Sequence, residues 1–454
     1  MGDRIHRGTD DLKPRFQLAV ELSSLVFAIV AAPGCGNSPT PPSQIQHVMI
    51  IVQENRTPDN LFHGLPNADI ADSGLNSKGQ RIPLTSGPLK GNYDLDHSHR
   101  AFVEMYDDGK MDGADRIKLQ CAGTCVPNPQ FKYVDPTEVA PYFELAEQYT
   151  FGDRMFQSNQ GPSFPAHQFI ISGTSAPTAN SDFFAAENVS GAVLPGRHSF
   201  RMSACGGLPG QSVALIGPAG EESREQFPCF EHLTLMDLLD HRQLDWRYYS
   251  TQVSWESQIW NAPNAIFHLR YGADWAKVIP SPVQLLRDIG NGQLASVSWV
   301  TPRGQDSDHP SLNEGTGPSW VAALVNAIGN SQYWSSTAIF IIWDDWGGWY
   351  DHVAPPIFNS YEYGFRVPLI VVSPYAKPHY VTHARHDFGS ILKFIEENFD
   401  MPSLGYADTR ADDLSDCFDF NQKPLAFETI VAPLGAKYFL DDTAPALDPD
   451  DDGD

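Results

Sequence analysis

Two stretches of the chain decide the expected fold. The apolar run Val48–Val52 (VMIIV) leads directly into Gln53 and the polar stretch 54–56 (ENR), and the apolar run Ala338–Trp343 (AIFIIW) leads into the acidic pair at 344–345. Short apolar runs of this kind are typical of buried strands. In an open α/β sheet, ligands collect at the carboxyl ends of the strands, so two such ends can meet around one cation. The pattern therefore predicts a metal-dependent active site at one edge of a sheet.

Further apolar runs extend this sheet, and helical patterns separate them. Strands are expected at 213–216, 246–249, 297–300 and 367–372, with helices around 320–328 and 388–399. The alternation predicts an α/β fold with three layers (α/β/α), a mostly parallel central sheet and loop-rich insertions. We expect one catalytic domain over residues 44–440, with an insertion at 180–270.

Composition limits the class of partner. The net charge of −26 argues against a nucleic-acid partner, because phosphate backbones are held by clustered Lys and Arg. With 41% hydrophobic residues the chain can bury a large core, and 36 Gly with 36 Pro predict many loops. The acidic tail 441–454 is expected to be disordered, since it is short of apolar residues.

The N-terminal segment 1–43 has the outline of a signal peptide or a lipoprotein signal. A basic start is followed by an apolar stretch over 18–32 and by Cys35 after small residues. This predicts an exported protein that is periplasmic, extracellular or lipid-anchored at the cell envelope, and a cytoplasmic extension is the alternative. No other segment approaches the ~20 apolar residues of a spanning helix.

The remaining cysteines suggest disulfides rather than a zinc site. In an exported protein, Cys121 can pair with Cys125 and Cys205 with Cys229, which leaves Cys417 free. Zinc is the weaker interpretation, because no CxxC pair or nearby HxxxH completes a tetrahedral set.

The strand ends carry the candidate metal ligands. Glu54 and Asn55 offer hard oxygen donors suited to Mg²⁺, Ca²⁺ or Mn²⁺, and the carboxylate also accepts Zn²⁺. Burying the adjacent carboxylates Asp344 and Asp345 is costly unless a cation or donors compensate. A turn or a helix cap is the alternative for each pair. Farther along the second stretch, residues 351–352 (DH) add a ligand or a general acid.

A nucleophile and several histidines complete the candidates. Ser163 lies in a loop between two prolines and before a helical stretch, where a phosphate is also favoured, although a plain turn residue is the alternative. His97, His99 and His309 could neutralise phosphoryl charge or protonate a leaving alkoxide. Weaker candidates of the same kind are Arg303, Arg366 and the pair His386-Asp387.

These stretches together resemble the bacterial phosphoesterase family that holds phosphocholine-preferring phospholipases C, plant non-specific phospholipases C and acid phosphatase A. Residues 54–64 (ENRTPDNLFHG) resemble its ENRSFDHYFG-type opening. The other blocks follow in the family's order: 94–99 resembles DxxHSH, 161–163 resembles the start of GP(S/T)xPN, 306–310 resembles DNHP, 344–352 resembles DEHGGFYDH, and 364–370 resembles GxRVPxxVISP. The similarity runs from about residue 46 to residue 399.

The resemblance implies an alkaline-phosphatase-like core and hydrolysis of phosphate esters, including phospholipids, with transient contact with a membrane surface. It implies a divalent cation, whether Ca, Mg, Mn or Zn. Its roles fall on these positions: the metal ligands Glu54, Asn55, Asp344 and Asp345; Ser163 as the nucleophile of a phosphoseryl intermediate; the catalytic histidines His97, His309 and His352; and the substrate-binding residues His99, Asp351 and Arg366.

Departures from the family pattern keep the substrate open. Asp345-Trp346 stands where many members have Glu-His, and Ala166 replaces an Asn of the nucleophile loop. The Asp-Asp pair at 344–345 is closer to the acid phosphatase branch. A phosphomonoester-specific phosphatase is therefore the main alternative to a phospholipid diesterase, and an inactive secreted binding protein is a further one. A sulfatase is disfavoured, since 125–129 (CVPNP) lacks the required Arg. Four tryptophans could line an apolar site mouth or belong to the core: Trp255, Trp260, Trp346 and Trp349.

Overall fold

The computed structural model describes residues 43–121, 123–190, 204–207, 209–252, 259–311, 313–444 and 446. The predicted signal-like segment lies outside the described residues except for Ser43, and so does most of the acidic tail. Among the described helices, none is long and apolar enough to cross a membrane.

Strands and helices alternate along the chain. The strands are β1 His47–Gln53, β2 Ser73–Leu75, β3 Arg81–Pro83, β4 Thr85–Gly87, β5 Tyr93–Leu95, β6 Leu119–Cys121, β7 Lys132–Val134, β8 Thr150–Gly152, β9 Met155–Phe156, β10 Phe184–Ala185, β11 Val213–Ile216, β12 Arg224–Gln226, β13 Trp246–Tyr249, β14 Val278–Ile279, β15 Val297–Val300, β16 Thr337–Trp343, β17 Leu369–Val372, β18 Tyr380–Thr382 and β19 His386–Asp387. The α-helices are α1 Pro58–Leu61, α2 His99–Tyr106, α3 Ala140–Gln148, α4 Ser163–Ser172, α5 Leu235–His241, α6 Phe267–Tyr271, α7 Gln284–Gly290, α8 Gly317–Gly329, α9 Phe388–Asn398 and α10 Ala436–Asp441.

An eight-stranded sheet forms the centre, in the order β14-β13-β15-β1-β16-β17-β8-β18. Its pairs are parallel except for the two made by β17, which runs antiparallel to β16 and β8. Helices pack in two groups, one around α8 and one around α4 with α9. The prediction of an α/β fold with a mostly parallel sheet is confirmed.

The central strands are apolar on both faces because helices cover both faces. Every residue of β16 is buried, and so is β1 after His47. The ring centroid of Phe340 in β16 lies 5.1 Å from that of Phe394 in α9, so this helix packs directly against the sheet.

The segment at 180–270 is only partly an insertion. Its first half contains the small antiparallel sheet β10-β11-β12, apart from the central sheet. However, β13 at Trp246–Tyr249 pairs with β15 inside the central sheet. A strand of the central sheet therefore lies within the segment where the insertion is expected.

The cysteines pair as the sequence suggested. Disulfides join Cys121 to Cys125 and Cys205 to Cys229, and Cys417 is free and buried among the described residues.

Candidate active site

The ends of β1 and β16 bring their polar residues to one edge of the sheet. The strands pair in parallel with Gln53 opposite Trp343, so the residues that follow each strand emerge side by side. The backbone N–H of Asn55 donates to Asp344 Oδ1 over 3.0 Å, while Asn55 adopts a left-handed φ of 62°. This hydrogen bond joins the two strand ends to each other.

A cluster of Glu54, His167 and Asp344 lies at this edge. His167 Nε2 is 3.3 Å from Glu54 Oε1 and 3.6 Å from Asp344 Oδ2, and all three side chains are fully buried. Burying carboxylates costs several kcal/mol each unless their charge is compensated. A cation held among these three residues would provide that compensation, and their donor atoms lie within 4.8 Å of one another.

Two buried oxygens support the same interpretation. Asn55 Oδ1 and Asp344 Oδ2 accept no hydrogen bond from any described residue. Buried acceptors are almost always satisfied in native proteins, so a missing partner at this place points to a ligand. Amide and carboxylate oxygens are donors that hard divalent cations prefer.

His167 is a site residue that the sequence did not single out. Burial lowers its pKa to about 4, because the charge of Asp344 opposes the shift only in part. The imidazole is therefore neutral and able to act as a ligand. Its spacing from Ser163 could have indicated it in the sequence. His167 lies four residues after Ser163 on one helix and thus on the same face.

Ser163 begins helix α4 and faces Asp345. Its Oγ donates to Asp345 Oδ2 over 3.0 Å, and Asp345 Oδ1 accepts from the N–H of Gly347 over 2.7 Å. The carboxylate is thus held in a fixed orientation against the hydroxyl. The helix N-terminus adds a positive partial charge where a phosphoryl group would bind.

Gly347 is required by this turn. It has a φ of 60°, and a Cβ there would lie 2.5 Å from the carbonyl oxygen of Asn55. A side chain at this position would push the two strand ends apart.

His97 touches Asn55. Its Nδ1 lies 2.7 Å from the carbonyl oxygen of Leu95, and its Nε2 lies 3.1 Å from Asn55 Nδ2. A carbonyl only accepts, so Nδ1 carries the proton and Nε2 accepts from the amide. This contact turns Asn55 Oδ1 away from His97 and leaves it available as a ligand.

His309 lies beside His97, with ring centroids 6.3 Å apart. Its Nδ1 is 3.2 Å from Ser311 Oγ, and its Nε2 is 4.0 Å from Asp94 Oδ2. The neighbouring Asp308 is anchored by Tyr142 and Trp343, each at 2.9 Å from its Oδ2. The structure therefore brings His97 and His309 together with the strand ends.

The predicted residues His352, Asp351 and Arg366 form a different group. Arg366 Nε donates to both oxygens of Asp351 over 3.0 Å, and His352 Nδ1 donates to Asp59 Oδ2 over 2.8 Å. The contacts of these three side chains with described residues go to this acidic network and not to Ser163 or its neighbours. The expectation that they act at the site with Ser163 is not supported by this placement.

Opposite charges stabilise the network formed by His352, Arg366 and the acidic residues around them. Burial lowers the pKa of His352, but its hydrogen bond to Asp59 and the acidic charges outweigh burial and raise the pKa to about 9. Because Arg366 is fully buried among the same carboxylates, their charge is already compensated.

His99 and the described candidate tryptophans contact other parts of the fold or are buried in the core. His99 begins helix α2, and its Nδ1 pairs with Glu222. Trp260, Trp346 and Trp349 are buried in the core, so they do not form an exposed apolar rim. Trp255 lies outside the described residues.

The chain is similar to a known protein family and to several known proteins. The model of the Phosphoesterase family matches residues 45–402. "Phospholipase C B" of Mycobacterium tuberculosis is 23% identical over 459 residues, which cover 87% of this chain and 82% of that protein. "Hemolytic phospholipase C" of Pseudomonas aeruginosa is 24% identical over 442 residues, covering 86% of this chain and 57% of that protein. A solved Vibrio parahaemolyticus protein of the alkaline phosphatase superfamily aligns over 81% of this chain and 71% of its own, with 11% identity and a TM-score of 0.35.

The family model spans most of the chain and includes both strand ends, the Ser163 loop and the His309 loop. The resemblance inferred from the sequence blocks is thereby confirmed. This chain belongs to the Phosphoesterase family and is a phosphoric ester hydrolase.

Proposed function

We propose that this protein hydrolyses phosphate esters with Ser163 as nucleophile and with a divalent cation at the ends of β1 and β16. The observation that carries the proposal is the hydrogen bond from Ser163 Oγ to Asp345 Oδ2, over 3.0 Å, beside the buried Glu54–His167–Asp344 cluster. A hydroxyl facing a carboxylate, next to a group of cation ligands, is the arrangement that nucleophilic phosphoryl transfer requires.

The residues fit a cation. Glu54, Asn55, His167 and Asp344 would hold it, because Asn55 Oδ1 and Asp344 Oδ2 are buried acceptors without a hydrogen bond from the described residues. When bound, a divalent cation lowers the pKa of a neighbouring hydroxyl and neutralises charge on a phosphoryl oxygen. A mixed oxygen and nitrogen donor set suits Zn²⁺ or Mn²⁺ better than Ca²⁺, which takes oxygen ligands.

Side chains of the protein carry out the steps of the hydrolysis. Ser163 Oγ attacks phosphorus while its proton passes to Asp345, and the bond from phosphorus to the leaving oxygen breaks. His309, whose Nε2 is 4.0 Å from Asp94 Oδ2, gives the leaving oxygen a proton. Water then attacks phosphorus and gives a proton to His309, while the bond from phosphorus to Ser163 Oγ breaks and Oγ takes its proton back from Asp345, which releases the phosphorylated product and restores the site.

For the substrate, we propose a phospholipid diester cleaved on the glycerol side of phosphorus. The support comes from the two relatives named above, both described as phospholipases C. A soluble phosphomonoester is the second candidate. It is favoured by the burial of Trp260, Trp346 and Trp349, which removes one apolar surface that a lipid could use.

We also propose that the protein is exported. The two disulfides among the described residues are the support, because such bonds persist in oxidising compartments.

A side-by-side assay tests the function. Purified protein would be given phosphatidylcholine and an aryl phosphate, each with and without a chelator, and the products analysed. Phosphocholine release that the chelator abolishes supports the diesterase. Phosphate release from the aryl ester alone favours the second candidate. No hydrolysis of either ester, with metal still bound, would favour the inactive binding protein.

A further inference from the structure

A second group of potential ligands lies in another part of the fold. His386 in β19, with Asp416 and Cys417 in the C-terminal segment, place a nitrogen, an oxygen and a sulfur atom within 4.8 Å of one another. His386 Nε2 is 3.6 Å from Asp416 Oδ1, and Cys417 Sγ is 3.7 Å from the same oxygen. None of these residues belongs to the Ser163 site.

The orientation of His386 is fixed from its other side. Its Nδ1 lies 2.9 Å from Asp412 Oδ1, and that oxygen also accepts from Ser390 Oγ over 2.6 Å. A carboxylate only accepts, so Nδ1 carries a proton, and Nε2 is the nitrogen that faces Asp416 and could bind a cation. Histidines that bind metals are commonly held in this way by a carboxylate behind the ring.

The free nitrogen is buried and unsatisfied. His386 is fully buried, and its Nε2 has no hydrogen-bond partner among the described residues. It nevertheless points toward Asp416 and Cys417. A buried nitrogen without a hydrogen bond, directed at a carboxylate and a thiol, completes a donor set that a cation would satisfy.

We infer that His386, Asp416 and Cys417 form a structural site for zinc or a similar borderline divalent cation. With bonds of about 2.0–2.3 Å, tetrahedral zinc ligands lie about 3.3–3.7 Å apart, and the two measured separations from Asp416 Oδ1 match that spacing. Water would supply the fourth ligand, because Asp416 is about one-third exposed and gives the ion an entry path. On binding, the Cys417 thiol releases its proton to solvent and the thiolate bonds to the ion.

The site would tie the start of helix α9 to the C-terminal segment. Asp416 also accepts a hydrogen bond from Thr382 at the end of edge strand β18, and the carbonyl oxygen of Cys417 accepts from Thr150 Oγ1 in β8 over 3.1 Å. A cation here would therefore stabilise one edge of the central sheet, which is a structural role and not a catalytic one.

Cobalt titration of the full protein tests the inference. The background is Cys35→Ser, which leaves Cys417 as the one cysteine outside the two disulfides. Thiolate bound to Co²⁺ gives a strong near-ultraviolet charge-transfer absorption, and the ligands around Ser163 include no thiol. We expect the amplitude of this absorption to correspond to one thiolate-bound cobalt ion per protein, in addition to any cobalt bound near Ser163, and the absorption to vanish on addition of excess Zn²⁺.

Variants give the assay a control. Cys417→Ser should abolish the absorption, and Asp412→Asn, behind the imidazole, should weaken cobalt binding roughly 10–100-fold. Asp413→Asn, an adjacent acid outside the group, should leave the affinity unchanged. If Cys417→Ser fails to fold, Asp416→Asn decides, with a loss of at least about tenfold in affinity expected. Cobalt binding without a thiolate absorption, or an unchanged affinity in Asp416→Asn, would overturn the inference.

Discussion

The side-chain amide of Asn55 donates to His97 Nε2 over 3.1 Å, and this contact leaves Asn55 Oδ1 turned away from His97. The family resemblance gives His97 a direct role on the phosphoryl group. From this contact we propose a different role, in which His97 positions the candidate metal ligand Asn55.

Replacing His97 with Ala should therefore weaken metal binding. We expect a loss of about 10–100-fold in affinity, because a residue that orients a ligand typically contributes that much. Calorimetric titration with Zn²⁺ or Mn²⁺ measures it. A large fall in kcat at saturating metal, with the metal affinity unchanged, would restore the direct role.

Ser163→Ala should reduce kcat by at least about 10³-fold, because the variant lacks the nucleophile. Metal affinity should be nearly unchanged, since Ser163 donates to Asp345 and not to the Glu54–His167–Asp344 group. Ser172→Ala, at the other end of the same helix, is the matched control and should keep its turnover. Near-normal activity in Ser163→Ala would rule out the proposed nucleophile.

His167→Ala should lose metal affinity to an extent similar to Asp344→Asn, since both side chains belong to one buried cluster. The fold should survive, because removing a neutral imidazole leaves no new buried charge. Circular dichroism checks the fold, and metal content after dialysis checks the binding. His99→Ala is the control, as His99 pairs with Glu222. Full metal content in His167→Ala would exclude it as a ligand.

His352→Gln should change the pH dependence of stability and leave catalysis nearly intact. The folded-state pKa of His352 is about 9, above its usual value of 6.5. The stabilisation it gives is therefore complete below about pH 6.5 and is lost as pH rises through 9. Urea unfolding at pH 6 and pH 9.5 should show a smaller difference between the two pH values in the variant than in the parent.

The activity of His352→Gln distinguishes a catalytic role of His352 from a structural role in its acidic network. If kcat falls more than about 10²-fold while the protein stays folded, His352 acts on the substrate as the resemblance implies. Turnover close to that of the parent protein would agree with its place in the Asp59–Arg366 network.

The sequence predicted those features that depend on local pattern. The buried strands at Val48–Val52 and Ala338–Trp343 follow from unbroken apolar runs, and their ligands follow from the rule that sites collect at strand ends. The antiparallel direction of β17 could not be predicted, because an apolar run carries no information about strand direction.

The contacts of two predicted residues could not be read from the sequence. Asp351 and His352 follow Asp345 closely in sequence, but the turn at Gly347 and Gly348, both with positive φ, comes between them, and their ion pairs are with Arg366 and Asp59. His167 was overlooked because its partners Glu54 and Asp344 are far from it in sequence.

The pairing of Gln53 with Trp343 also sets the spacing of the ligand oxygens. A slip of one residue between β1 and β16 would move Asp344 by about 3.3 Å along the strand relative to Glu54, too far for both to reach one ion. The backbone pairing of β1 with β16 thus sets the distances between the ligands of the proposed metal site. A core substitution that loosens this pairing will weaken metal binding before the protein unfolds.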